Sequence, residues 1–144
     1  MDFTQAIASG FANYINFSGR AARSEFWFWV LFTMLVGLAA AVLDHAIAPS
    51  VEPFSMLWYL ATIVPYLAVT VRRLHDVGRN GWWLLLFFVP LIGFVVLMVW
   101  FCSEGTPGYN GFGANPFGFG GHITPHLTGA DQARDQAWRH RAPQ

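Results

Sequence analysis

The sequence predicts an all-α membrane protein: three transmembrane helices, an N-terminal amphipathic interfacial helix, an irregular Gly/Pro-rich C-terminal cap and a flexible tail. Three observations predict it. Of 144 residues, 55% are hydrophobic and only 11% charged, whereas soluble domains carry about 25% charged residues, so the chain lacks the polar surface to cover a globule in water. Uncharged apolar runs fill 26–43, 54–71 and 82–102, and a membrane helix needs about 20 such residues. Arginines stand beside these runs on one side of them only, as the positive-inside rule requires.

The elements follow in chain order. Phe3, Ile7, Phe11, Tyr14 and Ile15 recur at helical spacing, with Ala6 and Gly10 nearby and Gln5, Ser9 and Asn13 falling on the other side. This is the pattern of a short helix lying in the inner interface. FSGR at 17–20 then reads as a turn broken at Gly19. The first run, FWFWVLFTMLVGLAAAVL, begins too far into the chain for a cleaved signal peptide. The link DHAIAPSVEP carries Asp44 and Glu52 but no basic residue. The second run, FSMLWYLATIVPYLAVTV, leads into the connector VRRLHDVGRNGWW at 71–83. The third, WWLLLFFVPLIGFVVLMVWFC, is the longest; Pro90 and Gly93 make it a candidate for a flexible joint, and Pro65 for a kink in the second.

Beyond Cys102 the segment SEGTPGYNGFGANPFGFGG at 103–121 has neither helical nor strand period. Tyr109, Phe112, Phe117 and Phe119 there fit a cap on the outer membrane face. We place the membrane domain at 1–116 and a flexible polar tail at 117–144, with a nascent helical turn around 130–139. His122 and His126 are separated by Pro125 and make a poor metal pair. Arg20, Arg23, Arg72, Arg73 and Arg79 lie beside the spans on one side, and the next basic residue is Arg134. The N-terminus is therefore expected in the cytoplasm and the C-terminus outside. Trp27, Trp29, Trp82 and Trp83 would form the inner aromatic belt, Trp58 and Trp100 the outer one.

Three stretches carry a pattern. GRAARSEFW contains Gly19, Arg20, Arg23, Glu25, Phe26 and Trp27. RRLHDVGRNGWW contains Arg72, Arg73, Leu74, His75, Asp76, Gly78, Gly81, Trp82 and Trp83. GTPGYNGFGANP contains Asn110, Phe112, Gly113 and Pro116. In this order, separated by apolar spans, they resemble the small bacterial inner-membrane family known as domain of unknown function 805. The resemblance covers roughly residues 3 to 116, with Asn80 where the family pattern has Ser. It implies an integral, multi-pass protein of the bacterial inner (plasma) membrane and supplies no activity.

The chemistry rests on the charged residues. If the second helix runs one turn past the membrane, Arg72, His75, Asp76 and Arg79 share a face, with Glu25, Arg20 and Arg23 on the same side. One reading is an ion-paired collar that anchors topology. A second is a phosphate or anionic-lipid site, with Arg20, Arg23, Arg72, Arg73 and Arg79 as the clamp. A third is an enzyme acting on a lipid head group with His75 and Asp76, aided by Glu25, as acid and base. No nucleophile motif, nucleotide loop or metal spacing accompanies them, so no metal or cofactor is expected. A transporter subunit is disfavoured, because ionisable groups are missing from within the spans.

Zero net charge argues against nucleic acid, and the lone Cys102 makes no internal disulfide. Gly37, Ala40 and Ala41 offer a small-residue surface for helix contact. The expected partners are membrane lipids, anionic ones among them, and a second copy or a larger membrane complex. The working function is a non-enzymatic structural or interaction module.

Overall fold

The structure, a computed structural model, describes residues 1–47 and 50–116. The tail, with its histidines, Phe117, Phe119 and the expected helical turn, lies outside the described residues. Among the described residues the fold is helical without strands: α1 (Phe3–Ala12), α2 (Arg23–Ile47), α3 (Pro53–Asp76), a 3₁₀ helix (Gly81–Phe88) and α4 (Ile92–Cys102).

α1 begins on a capping box. The Asp2 carboxylate accepts from the Gln5 amide at 2.8 Å, and the Gln5 side chain accepts from the Asp2 amide at 3.1 Å. The Gln5 amide first, then the Thr4 hydroxyl, hold the Asp2 carboxyl below its ordinary range. Its support for α1 is thus present above the ordinary aspartate pKa and lost as pH falls through the lowered one. The buried centre of the face α1 packs is small, Ala6 and Gly10, flanked by Phe11, partly exposed and edge-on to Trp29 at 5.2 Å; Ile15, beyond the end of α1, is exposed. A Cβ at Gly10 would stand 2.1 Å from Cε3 of the Trp29 ring, so only glycine lets α1 approach α2 this closely. Ser9, expected on the opposite side of α1, turns toward α2 and donates to Glu25.

α2 and α3 form the hairpin expected from the first two apolar runs, each longer than its run at both ends. They are the two helices long and apolar enough to cross a membrane. Only 22% and 33% of their most apolar stretches are buried, so these are not core helices of a water-soluble fold, and Met34, Leu38, Val42, Leu57, Leu60 and Ile63 face outward. Gly37 and Ala40 are buried in the hairpin and Ala41 is exposed. Gly37 faces the indole of Trp58, whose Nε1 donates to the Thr33 carbonyl at 3.1 Å.

Asp44, in the link between the first two runs by sequence, is the cap of α3. Its two oxygens accept from the amides of Phe54 and Ser55, both at 2.8 Å, because the residue at the N-cap, Glu52, supplies no side-chain bond. A buried carboxylate there also meets the positive end of the helix dipole.

The third apolar run departs from expectation. It is not one spanning helix but a 3₁₀ leg, a break at Pro90 and Leu91, and α4. Pro90 has no amide to donate, and Leu91 takes a left-handed φ of 64° that turns the chain. At about 2.0 Å per residue the eight-residue 3₁₀ leg is ~16 Å long. At about 1.5 Å per residue the eleven residues of α4 rise ~16.5 Å. The legs match in length, so after the turn at Pro90 and Leu91 the run ends level with where it began. Gly81, at its start, packs on Val71, and the carbonyls at its end reach Arg73. Both ends of the hairpin thus sit at the C-terminal end of α3.

Residues 103–116 follow the hairpin to that end. They form an irregular cap on the end of α3 that holds the arginines, through Thr106, Gly108, Asn110 and Gly113, where a cap on the opposite face was expected. Trp100 moves with them: it stands edge-on to Trp83 at 5.5 Å, not in a belt with Trp58.

Candidate functional site

The residues of the three sequence motifs meet where α3 and α4 end, and the reason is the backbone chemistry of helix termini. Each helix leaves its last carbonyls without internal donors, and two C-termini that converge bring two sets together. In α3, Thr106 donates to the Asp76 carbonyl through its amide and its hydroxyl, both at 2.8 Å. Asn110 donates to the His75 carbonyl at 2.6 Å, the Arg79 amide to that of Leu74 at 2.8 Å, and the Ala21 amide to that of Arg72 at 3.0 Å. In α4, Arg73 donates to the carbonyls of Phe101 at 3.2 Å and of Ser103, and Arg23 to that of Cys102 at 3.3 Å.

Asp76 is the centre. Arg20 Nε donates to Oδ1 at 2.8 Å and the Arg73 guanidinium to Oδ2, with all three side chains buried. The rest of the Arg20 fork is used on the cap, reaching the carbonyls of Thr106 at 2.5 Å and Gly108 at 2.6 Å, and that of Gly113 at 3.5 Å. Two buried guanidiniums against one carboxylate leave one positive charge. The C-termini of α3 and α4 each present about half a negative charge, so the cluster is balanced without any external anion. Gly105 lies so close that a Cβ there would be 2.1 Å from Asp76 Oδ2.

Although Arg72, His75, Asp76 and Arg79 were expected on one face of α3, they do not pair with one another, because the helix ends at Asp76 and each side chain has another partner. Arg72 crosses to Glu25 on α2 at 2.9 Å, and both are buried; Ser9 of α1 joins the same oxygen at 2.9 Å, so this chain ties three helices. Arg72 Nε and Nη2, Trp29 Nε1 and the Ser24 hydroxyl are buried without a hydrogen-bond partner among the described residues. His75 lies flat on Phe112, ring centroids 4.1 Å apart, and its Nδ1–H donates to the Gly19 carbonyl at 3.1 Å. A donating Nδ1 leaves Nε2 as the acceptor of the neutral ring. Arg79 is exposed and sits 5.0 Å over the Trp100 ring. Arg23 reaches Glu104 at 3.4 Å, with both side chains largely open.

The glycines of the motifs have local reasons. Gly19 and Gly78 take φ of 83° and 72°, which permits the turn before α2 and the turn that ends α3. Gly81 has no room for a Cβ, which would lie 2.8 Å from Val71. Trp27 and Trp82 are exposed, as is Pro116 at the end of the cap. Sequence reasoning missed Thr106, Asp44 and Ser9. A donor beside the Gly-rich stretch was the signal for the first; an acid ten residues before a Pro-started helix was the signal for the second. Glu25, Asp76 and His75 do not converge on a common point for a metal or substrate, since each is committed to a different partner, and no group of three metal-binding side chains occurs among the described residues.

The chain is 49% identical over 104 residues to the inner membrane protein YhaI of Escherichia coli K12, covering 72% of this chain and 88% of the relative. It is 40% identical over 108 residues to the inner membrane protein YhaH of the same organism, covering 72% and 89%. It is also 34% identical over 93 residues to the uncharacterized protein YiiR, covering 63% and 56%. No solved structure matches. Residues 14–114, which include the first two motifs and the third as far as Ala114, match the model of a family described as "Protein of unknown function (DUF805)", and the chain belongs to that family.

Proposed function

We propose that the chain is a non-enzymatic integral module of the inner membrane, in which the motif residues lock a re-entrant hairpin against a two-helix stem. On this reading α2 and α3 cross the bilayer, α1 lies at the inner leaflet, and the arginine cluster faces the cytoplasm. The single observation that supports it is the closure of the cluster: Arg20, Arg73 and Asp76 are buried and satisfied by one another and by the carbonyls of α4 and the cap. Asp76, only 4% exposed and enclosed by two guanidiniums, gives a substrate no approach, which weighs against acid–base chemistry with His75.

Contact with anionic head groups then falls to the arginines still open to the surface, Arg23 and Arg79. A basic residue near the membrane surface contributes about 1 kcal/mol toward anionic lipid. Native mass spectrometry of the purified protein with its retained phosphatidylglycerol and cardiolipin tests this. Replacing both arginines by glutamine is expected to lower anionic-lipid retention roughly thirtyfold, the ratio for ~2 kcal/mol, while the fold survives. Equal retention by the variant and the parent protein would end the head-group assignment.

A further inference from the structure

Between α3 and the 3₁₀ leg runs a groove of about 610 Å³, within the size range of small-molecule sites, about 300–1,000 Å³. We propose that it seats one acyl chain of a membrane phospholipid from the leaflet at the arginine side, with the head group at His75 and Asn80; this rests on the membrane reading above. The groove has a polar end and an apolar end. His75 and Asn80 line it at the connector, and Leu85 and Phe88 line it toward the hairpin tip. Thr70, midway, adds no free polarity, because its hydroxyl donates to the Tyr66 carbonyl at 2.6 Å.

At the polar end the free groups suit a phospholipid head. His75 spends Nδ1–H on Gly19 and keeps Nε2 as an acceptor for an ammonium. The Asn80 carbonyl oxygen accepts from the Trp82 amide at 3.4 Å, which leaves its NH₂ to donate to a phosphate. Exposed Arg79 adjoins it in the chain, and no carboxylate lines the groove. Depth agrees as well. The 3₁₀ leg that forms one wall is ~16 Å long, about half of the 30 Å hydrocarbon core, so the groove spans one leaflet, the length of one acyl chain. The wall residues remain open sideways: Leu67 is 40% and Leu85 55% exposed, continuous with the outward apolar face of α3.

The test uses the full chain in liposomes of phosphatidylethanolamine and phosphatidylglycerol that contain a trace of phosphatidylethanolamine bearing a diazirine in mid-chain. After irradiation, adducts are mapped by peptide mass spectrometry. Adducts at Leu67, Leu84 and Leu85 are expected to exceed those at Leu38 and Val42, on the outward face of α2, by about fivefold. Leu85→Trp fills the groove at an exposed position that the fold tolerates, and it should bring groove adducts down to the α2 level while leaving the α2 adducts unchanged. Groove adducts equal to those on α2 in the parent protein would overturn the proposal. So would disulfide-linked pairs of Leu85→Cys chains, made in a Cys102→Ser background, formed in place of lipid adducts, which would make a second copy the occupant. An absence of adducts at every position, Leu38 and Val42 included, would overturn the membrane reading itself and the groove with it.

Discussion

Replacing Asp76 by asparagine is expected to open the arginine end of the molecule at a cost of about 3–5 kcal/mol, the usual penalty for removing one member of a buried ion pair. The variant keeps the shape of the side chain and removes its charge. Arg20 and Arg73 would then face each other across a neutral group, buried, and the amide NH₂ would point a donor at a guanidinium. Both arginines also hold carbonyls of the cap and of α4, so their displacement frees residues 103–116 and the last turn of α4. Hydrogen exchange should show protection lost in those segments and retained in the middle of α2 and α3. The comparison is Arg23→Ala, which breaks a pair whose side chains are 48% and 86% exposed and should cost no more than about 1 kcal/mol. Unchanged exchange in the Asp76→Asn protein would mean that the cluster is not what holds the cap.

The second large effect is at Gly93, and its sign discriminates between two folds. In a straight membrane helix over 82–102, Gly93→Ala would be neutral or would stabilise by about 1 kcal/mol, since alanine is the better helix former. In the hairpin, a Cβ at this position would lie 1.7 Å from the Leu86 carbonyl oxygen, a backbone atom that cannot turn aside. The two legs must separate. Overpacking costs typically about 1–3 kcal/mol and more where backbone must move, so the variant should destabilise by at least the upper part of that range. Thermal unfolding in detergent measures it; a midpoint equal to or above that of the parent protein would favour the straight helix.

Much of this architecture is legible in the sequence, and the parts that are not have definite causes. α2 and α3 follow from uninterrupted apolar runs, because hydropathy over 18 or more residues leaves a helix as the one structure that satisfies its own backbone in lipid. The break at Pro90 and Leu91 does not follow, since proline is common in membrane helices and only the packing of Gly93 on Leu86 distinguishes a turn from a kink. With a third crossing, the positive-inside count puts the C-terminus on the far side; a run that turns at Pro90 and Leu91 instead brings residues 103–113 to the end of α3 that holds Arg20 and Arg73.

At the site, the three motifs lie together at one end of the stem, but their contacts do not follow the helical spacing of α3. Helical spacing offers Arg72 to Asp76, yet Asp76 takes Arg20 from 56 positions away, because a carboxylate at a helix C-terminus can be buried only beside cations that also cap the helix. Asp44 shows the same limit. An acid in a link looks solvated until the helix it caps is placed over it.

The central claim is that the third apolar run returns to the side it left. The most direct measurement uses the native Cys102, which is exposed at the end of α4, together with Asn16→Cys and Ser50→Cys, each made in a Cys102→Ser background. Labelling with a membrane-impermeant maleimide, in sealed inverted vesicles and in intact spheroplasts, reports the side of each thiol. Cys102 and Asn16→Cys should label from the same side, and Ser50→Cys from the other. Labelling of Cys102 together with Ser50→Cys would contradict the hairpin and restore a third crossing.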